Sequence, residues 1–569
     1  MVASSNNLRK RKRSLAVQRS PDIADEEITE PSSNEENDNE SYSGEGEEEE
    51  ILESDEEFAA ESATDKRRRL AKQYLENLKE DANEIVTGLE YKKATKETLD
   101  EFNNFDAKDL DRDIIASRLR LDVAEQQGRV YRFIGEKLLI SEAKTSFTRV
   151  GEKNITGLSC YQPEINKFSL ETKSKSKSRI YAYVVSKDMT LTKYDVTDFN
   201  SRPKKLRYVK GGRRYTPVGN SEYDNTTEGH YDEILAIAAS PDGNYVVTGG
   251  RDRKLIVWST ESLAPVKVLP TKDRRGEVLG LAFRKNTDQL YASCADYKIR
   301  TFSINQFSQL EILYGHQDVV VDISALSAER CVTVGSRDRT AMLWKIADET
   351  RLTFRGGDDP ERLRKKWLKN QAAEEANGEL DQTYEVSEAP MFYGEGSIDC
   401  VSMIDDSHFV TGSDNGNIAL WSMSKKKPLF TQRIAHGIIP LPECQTISAE
   451  RDQSMCETQL QEKALTRPYW ITALHAIPYS NVFVSGSWNG VLKVWKIAPT
   501  MREFELLGEL ARCQGVVTKI QVVESGKHGR ETLRVLASVA KEHRLGRWIH
   551  HISGARNGLY SAVIEQTDF

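Results

Sequence analysis

The sequence predicts an all-β protein built from seven similar four-stranded units. Seven times an acidic or amide residue stands six positions before an aromatic residue. The pairs are Asp188/Tyr194, Asp252/Trp258, Asp296/Phe302, Asp338/Trp344, Asn415/Trp421, Asn489/Trp495 and Glu542/Trp548. In clear copies, such as GGRDRKLIVW (249–258) and GSRDRTAMLW (335–344), a polar turn precedes alternating apolar residues that end on the aromatic. This pattern is typical of two strands joined by a tight turn.

The spacing of the turn residues identifies the kind of repeat. It is 44 residues from Asp252 to Asp296 and 42 residues from Asp296 to Asp338. A period of about 40–45 residues with this turn-to-aromatic pattern is typical of WD40 blades. The predicted fold class is therefore a seven-bladed WD40 β-propeller, which we expect to occupy residues 130–565.

Two insertions interrupt the predicted propeller, at 356–394 and 437–467. Long insertions in a compact repeat are usually functional or disordered. A charged stretch at 361–369 within the first insertion is expected to be helical. The strand-like segments 130–140 and 559–564 are expected to close the ring by completing one blade from both ends of the chain.

Charge is segregated along the chain. The formal net charge is −8, but residues 22–61 contain 19 acidic and no basic side chains, so the other 529 residues carry +11. A basic body with an acidic tail suggests a polyanionic partner, although acidic tails are often only solubilising. Residues 1–64, a basic and then acidic tail, are poor in apolar residues and are predicted to be disordered. Residues 65–128 show helical apolar spacing and are predicted to form a short α-helical extension.

Two basic runs predict nuclear targeting. They consist of Arg9, Lys10, Arg11, Lys12 and Arg13, and of Lys66, Arg67, Arg68 and Arg69. The seven cysteines form no CxxC pair, which is typical of free thiols in a reducing compartment. The sequence has neither a signal peptide nor an apolar run of about 20 residues, so we expect a soluble intracellular protein without membrane contacts.

Some repeats contain residues that resemble a catalytic constellation but favour a structural interpretation. In the second blade the spacing predicts a buried hydrogen-bond chain through His230, Thr248, Asp252 and Trp258. In the fourth blade His316, Asp338 and Trp344 take the same positions, whereas Val334 occupies the threonine position. In the third blade Arg274 replaces the histidine. Such a network holds a hairpin together because every buried polar member is satisfied.

Enzymatic signatures are missing from the sequence. It contains no phosphate-binding GxxxxGK[ST], no HExxH and no GxSxG motif. His543, His550 and His551 have no Cys or carboxylate at metal-ligand spacing, and their spacing suggests neighbours on a blade rather than a zinc site. We therefore expect no catalytic residue, no metal, no cofactor and no small-molecule substrate.

The repeat alignment predicts a binding face, because every blade presents its turn on the same side of a propeller. Residues flanking the turn position are rich in cations and aromatic rings, which suit phosphate contacts and base stacking. The predicted RNA-binding residues are Lys187, Arg251, Arg253, Tyr297, Arg337, Arg339, Trp488, Lys541 and His543. The alternative is that propeller rims are simply polar and that the arginines pair with neighbouring carboxylates.

Four segments resemble one family closely: DKRRRLAKQYLENL (65–78), DIIASRLRLDVAEQQGRVYR (113–132), GHYDEILAIAASPDGNYVVTGGRDRKLIVWST (229–260) and KEHRLGRWIHHISGARNGLYSAVI (541–564). The chain is similar to the WD40-repeat protein specific to the U3 small nucleolar ribonucleoprotein, in its fungal form. The resemblance extends from about residue 65 to the end of the chain, and the acidic tail matches only in character.

The resemblance implies a non-enzymatic protein of the nucleus and nucleolus. It implies binding to the box B/C region of U3 snoRNA, next to a kink-turn-binding protein of about 15 kDa. Other implied partners are snoRNP and small-subunit processome proteins, and the implied role is support of the early pre-rRNA cleavages that lead to 18S rRNA. The alternative from the residues alone is a protein-reading WD40 scaffold, such as a ubiquitin-ligase substrate receptor or a histone-peptide binder, for which Asp414 and Trp488 are the hints.

Overall fold

The computed structural model describes residues 131–163, 179–216, 228–269, 275–356, 360–376, 392–440, 467–527, 530–546 and 554–567, and the single residues 452, 454, 455, 458 and 552. The predicted tail, the predicted helical extension and both basic runs lie outside these residues. No helix in the described part of the chain is both long enough and apolar enough to cross a membrane.

The described residues form a seven-bladed β-propeller, as predicted, with four antiparallel strands in each blade. The first four blades comprise β2 (Ile155–Tyr161), β3 (Tyr181–Ser186), β4 (Thr190–Asp195) and β5 (Lys204–Lys210); β6 (Ile234–Ala239), β7 (Tyr245–Gly250), β8 (Leu255–Ser259) and β9 (Pro265–Val268); β10 (Val278–Phe283), β11 (Gln289–Cys294), β12 (Lys298–Ser303) and β13 (Ser308–Tyr314); and β14 (Val320–Ala325), β15 (Arg330–Gly335), β16 (Thr340–Lys345) and β17 (Thr350–Arg355).

The last three blades comprise β18 (Ile398–Met403), β19 (His408–Ser413), β20 (Ile418–Ser422) and β21 (Phe430–Gln432); β22 (Ala473–Ala476), β23 (Val482–Gly486), β24 (Leu492–Ile497) and β25 (Phe504–Leu510); and β26 (Val516–Lys527), β27 (Arg530–Ala540), β28 (Gly558–Ile564) and β1 (Lys144–Arg149). The innermost strands β2, β6, β10, β14, β18, β22 and β26 contact one another in that cyclic order. Their apolar side chains form buried clusters between successive blades, so the core is a ring.

The ring is closed by both ends of the described chain, but by a different N-terminal strand from the one predicted. Strand β1 pairs with β28, with Lys144 opposite Val563 and Arg149 opposite Gly558. The predicted segment 130–140 does not form this strand. From residue 131 it contains a 3₁₀ turn at Gly135–Lys137 and isolated bridges to Ser480 and Gln566, because its backbone groups bind loop positions rather than a strand edge.

The seventh blade departs from the repeat in a second way. Strand β27 ends at Ala540 and the third strand begins only at Gly558. The prediction that Glu542 and Trp548 mark a tight turn and the following strand was therefore wrong, and Trp548 lies outside the described residues. The buried aromatic residue of the true third strand is Tyr560, which donates a hydrogen bond from Oη to the Ala511 carbonyl at 2.8 Å.

Arg534 on β27 joins the last blade to the first. Its fully buried guanidinium donates hydrogen bonds to carbonyls of the connection that follows β4: Val196 (3.2 Å), Asp198 (2.8 Å) and Ser201 (2.8 Å). Its Nε donates to Ser561 Oγ at 2.8 Å. Because the planar guanidinium presents five N–H groups, it satisfies several carbonyl groups at once where the ring closes.

Both predicted insertions lie between blades. The charged stretch of the first insertion is helical, as expected, in α1 (Pro360–Ala376). The ends of the second are paired with each other: Ile438 bridges Pro468, Ile439 N donates to Arg467 O at 2.8 Å, and Tyr469 N donates to Gly437 O at 3.1 Å.

Candidate nucleic-acid interface

The hairpins that carry the candidate binding residues are held by buried polar chains. In the second blade Trp258 Nε1 donates to Thr248 Oγ1 at 2.7 Å, and Thr248 Oγ1 lies 2.7 Å from His230 Nε2. His230 Nδ1 lies 2.8 Å from Asp252 Oδ2. Every donor in this hydrogen-bond chain has an acceptor if the threonine hydroxyl donates to Nε2 and Nδ1–H donates to the carboxylate. Asp252 also accepts the Lys254 N–H, which fixes the turn containing Arg251 and Arg253.

The fourth blade has a complete chain, which corrects the expectation that Val334 stands at its threonine position. Thr333 Oγ1 lies 2.8 Å from His316 Nε2 and accepts from Trp344 Nε1 at 2.8 Å. The turn in this blade contains one residue more than that of the second blade, so alignment on Asp338 shifts the threonine by one position. Burial tends to raise the pKa of Asp338, but hydrogen bonds from His316 and Thr340 outweigh it and lower that pKa.

The sixth blade contains a related chain that the sequence spacing did not indicate. His436 Nε2 lies 2.8 Å from Ser485 Oγ, which also accepts from Trp495 Nε1 at 2.8 Å. His436 Nδ1 lies 3.2 Å from Asn489 Oδ1. The histidine stands 53 residues before the turn residue instead of 22, because the second insertion follows it directly.

In the third and fifth blades the turn residue contacts a partner other than a histidine. Asp296 pairs with the fully buried guanidinium of Arg300 at 2.7 Å, so the cation comes from the same hairpin. The predicted substitute, Arg274, lies outside the described residues. In the fifth blade Asn415 Nδ2 donates to the Tyr393 carbonyl at 3.3 Å, and Trp421 Nε1 donates to Thr411 Oγ1 at 2.9 Å.

We expect the stability of the sixth blade to depend on pH. Burial lowers the pKa of His436 to about 4. Because the folded pKa is below the unfolded value of about 6.5, the stabilising contribution is present above pH 6.5 and is lost as the pH falls towards 4. The loss between pH 7 and pH 5 amounts to about 2 kcal/mol. In denaturant titrations, His436→Gln should therefore shrink the stability difference between pH 7 and pH 5 by about this amount, and an unchanged difference would contradict the assignment.

Residues that directly follow the turn position have an unusual backbone. Met189, Arg253, Tyr297 and Arg339 have φ angles of 61°, 64°, 66° and 51°, in the left-handed region. In the fifth and sixth blades glycine occupies this position, at Gly416 and Gly490. A non-glycine residue in this region is strained by roughly 1–2 kcal/mol. Arg253, Tyr297 and Arg339 are nevertheless exposed long side chains, and strain of this kind is concentrated at functional sites.

The residues that directly precede the turn position differ from one another in exposure and in ion pairing. Arg337 and Lys541 are exposed. Arg251 is half-exposed but lies between two carboxylates, 3.5 Å from Glu233 Oε2 and 3.4 Å from Glu277 Oε1. The alternative that rim arginines pair with neighbouring acids therefore holds for Arg251. Exposed pairs of this kind are weak, so they remain open to exchange with a phosphate.

Two of the predicted RNA-binding residues, His543 and Lys187, are not exposed on the rim of the propeller. His543 is 6% exposed, and burial together with nearby Arg544 and Lys187 lowers its pKa to about 3. It belongs to the interior rather than to a binding surface, because this position lies in the long connection between β27 and β28 and not in a hairpin between them. Lys187 is half-buried and donates from Nζ to the His543 carbonyl at 3.3 Å.

Trp488 lies in an aromatic group at the turn of the sixth blade. Its ring is 5.7 Å from that of Tyr469 and 5.8 Å from that of Trp470, in edge-to-face geometry. All three side chains are half-buried. Neither Tyr469 nor Trp470 was predicted, because both lie directly after the second insertion, where the repeat spacing is lost. Grouped rings with accessible edges provide a surface on which bases can stack.

Sequence spacing also gave no sign of Arg544, which lies in the long connection of the seventh blade. Its Nη1 donates to Leu279 O at 2.7 Å and its Nη2 to Val321 O at 2.8 Å. These carbonyls belong to the innermost strands of the third and fourth blades. Lys519 on β26 likewise pairs with Asp322 on β14 at 2.9 Å. Both contacts link the seventh blade to blades that are not its neighbours in the ring, and those of Arg544 anchor the connection that carries Lys541.

Comparisons with known proteins agree with this geometry. The family model "WD domain, G-beta repeat" matches residues 222–259, 307–345, 389–422 and 461–496. "Ribosomal RNA-processing protein 9" of Saccharomyces cerevisiae is 67% identical and spans 99% of both chains. "U3 small nucleolar RNA-interacting protein 2" of Homo sapiens is 28% identical over 88% of this chain and 82% of its own. The solved "Crystal structure of RRP9 WD40 repeats" matches 74% of this chain and 97% of its own, with 27% identity and a TM-score of 0.52.

Proposed function

The chain belongs to the family of Ribosomal RNA-processing protein 9, and we propose that it is a component of the U3 small nucleolar ribonucleoprotein that binds U3 snoRNA and acts in ribosomal RNA processing. The printed names of its relatives refer to U3 small nucleolar RNA and to rRNA processing. The protein works as a scaffold that positions RNA. Its site of action is the nucleus and the nucleolus, and the two basic runs serve as import signals.

The observation that best supports this proposal is the strained, exposed row formed by Arg253, Tyr297 and Arg339. These side chains lie on successive blades, on the face that also carries Arg337 and Lys541. Arginine and lysine contact phosphates, and tyrosine stacks on bases, so the row suits an irregular RNA. We call this surface, with Arg251, Lys187 and Trp488, the turn face.

The first test removes two cations from the turn face. We expect Arg251→Ala combined with Arg337→Ala to weaken U3 snoRNA binding and to flatten its salt dependence, because each lost phosphate contact lowers the slope by about 0.7–0.9. Filter binding over a salt series measures both quantities. An unchanged affinity and slope, with folding intact, would contradict the assignment of this face.

A second pair of substitutions separates binding from folding. Arg253→Gly with Arg339→Gly removes two cations at positions where glycine relieves left-handed strain of about 1–2 kcal/mol per residue. The variant should therefore be at least as stable as the wild type in denaturant titrations while binding U3 snoRNA more weakly. Equal stability with equal affinity would show that these arginines do not contact RNA.

The same proposal implies specific protein partners. A kink-turn-binding protein of about 15 kDa occupies the neighbouring RNA, and other snoRNP and processome proteins bind elsewhere on the chain. Crosslinking followed by RNA sequencing checks this against the protein-reading alternative. Enrichment of U3 snoRNA is the expected result, whereas recovery of protein partners without any enriched RNA would favour the alternative.

A further inference from the structure

The outer edge of the first blade carries a concentration of positive charge that the turn face does not include. Strand β5 and its flanks contain seven cations and no acidic residue between positions 202 and 214. They are Arg202, Lys204, Lys205, Arg207, Lys210, Arg213 and Arg214, and all seven are exposed. We call this set the basic edge.

The basic edge is an open strand edge. Strand β5 pairs only with β4 and is the last strand of its sheet. A strand rises about 3.3 Å per residue, so the seven residues of β5 form a charged strip roughly 20 Å long. Among the described residues, none of the seven cations forms an ion pair with a carboxylate. Arg207 and Arg214 instead donate to the backbone carbonyls of Ser262 and Lys210.

The basic edge is continuous with the turn face. Lys210 lies opposite Thr190 in the register of β4 and β5, directly after the turn that contains Asp188 and Met189. Beyond the strand, Gly211 N donates to Met189 O at 2.9 Å and Gly212 N donates to His230 O at 2.9 Å. These contacts hold Arg213 and Arg214 at the rim. A strand of RNA that crosses the turn face would therefore meet further cations where it passes over this rim.

Aromatic rings accompany the cations on the basic edge. Lys205 Nζ lies 4.2 Å above the ring of Tyr208, which is 61% exposed. The Arg214 guanidinium lies 4.7 Å from the ring of Tyr215. Cations interleaved with exposed rings are suited to nucleic acid, because the rings stack on bases while the cations contact phosphates.

Comparison with another outer strand shows that this charge is not a general property of the propeller. Strand β25 of the sixth blade carries Glu505 and Glu509, which pair with Lys496 and Lys493 at 3.4 and 2.9 Å. Lysines on an edge strand also discourage pairing with other chains. Protection of the edge from pairing does not explain Arg213 and Arg214, which lie beyond the strand, or the exposed ring of Tyr208.

We propose that the basic edge is a second RNA-binding surface, which holds the phosphate backbone of RNA that leaves the turn face over the rim of the first blade. The proposal rests on the RNA-binding function proposed above. Its ligand is the sugar–phosphate backbone, bound without base specificity, because flexible lysines act as point charges.

The test uses the full-length protein with Lys204→Gln, Lys205→Gln and Lys210→Gln combined. The matched control combines Lys425→Gln, Lys426→Gln and Lys427→Gln, three exposed lysines between the third and fourth strands of the fifth blade. Filter binding to U3 snoRNA over a salt series should show a slope lower by about 2 for the β5 variant, from three lost phosphate contacts. The control variant should keep the wild-type slope. Hydroxyl-radical footprinting should show loss of protection at some nucleotides and retention at those protected by the turn face.

Three results would overturn the proposal. One is an equal slope for the two triple variants and the wild type. Another is an equal reduction by both variants, which would indicate a general charge effect. The third is an unchanged RNA slope together with binding of a synthetic peptide of residues 22–61 to the wild type but not to the β5 variant, which would make the edge an acidic-peptide site. In each case the wild type still binds U3 snoRNA, whereas failure of the wild type itself would reject the proposed function.

Discussion

Replacement of Arg534 by leucine is expected to lower the free energy of unfolding by about 2–5 kcal/mol, because at least two buried carbonyl groups lose their donor. The guanidinium is fully buried and donates to the carbonyls of Val196, Asp198 and Ser201 and to Ser561 Oγ. Leucine fills part of the volume but removes the donors to the Val196 and Ser201 carbonyls, whereas the Asp198 carbonyl still accepts from Ser201 N and Oγ. An unsatisfied buried group costs about 1–3 kcal/mol. Chemical denaturation at pH 7 measures the effect.

The matched control for this prediction is Arg556→Leu. Arg556 is exposed and lies just before β28 in the same blade. A surface substitution of this kind usually changes stability by less than about 0.5 kcal/mol. If Arg534→Leu and Arg556→Leu differed by less than 1 kcal/mol, the link between the last and first blades would not contribute to ring closure as described.

Thr248→Val is expected to destabilise the second blade by about 2–4 kcal/mol, because two buried nitrogens lose their partner. Valine has nearly the shape of threonine, so the change removes the hydroxyl that accepts from Trp258 Nε1 and contacts His230 Nε2. Thr248→Ser retains the hydroxyl and should cost much less. Thr333→Val in the fourth blade should repeat the loss, since Thr333 makes the same two contacts.

Denaturant titration of the three variants and the wild type tests this prediction, and an RNA-binding assay provides a second measurement. Because Asp252 fixes the turn that presents Arg251 and Arg253, a loosened hairpin should also weaken RNA binding at temperatures where the protein remains folded. Equal stability of Thr248→Val and Thr248→Ser would show that shape, rather than the hydrogen-bond chain, holds the hairpin.

The sequence was a good guide wherever local pattern and blade geometry coincide. Six of the seven turn-to-aromatic pairs mark the second hairpin of a blade, because a tight turn and a buried aromatic depend on residues close together in the chain. The seventh pair, Glu542 and Trp548, does not mark such a hairpin, because a long connection joins β27 to β28.

Long-range features were harder to predict. His436 was missed because the second insertion separates it from Asn489, although the two side chains lie 3.2 Å apart. Arg534 and Arg544 bind carbonyls of other blades, and no spacing within one repeat reveals such contacts. His543 was predicted to bind RNA from its position beside a turn residue, but its burial depends on the path of the whole connection. The charge of the basic edge was visible in the sequence, but its continuity with the turn face depends on the pairing of β4 and β5.

The paired ends of the second insertion have a practical consequence. The bridge between Ile438 and Pro468, together with the bonds between Ile439 and Arg467 and between Tyr469 and Gly437, closes the loop at its neck. A flexible sequence inserted between the two paired ends should destabilise the fold little, because each doubling of the length of a flexible loop costs only about 0.6 kcal/mol. A fluorescent reporter domain can therefore be inserted between these paired ends without disturbing His436 before them or the Tyr469 ring after them.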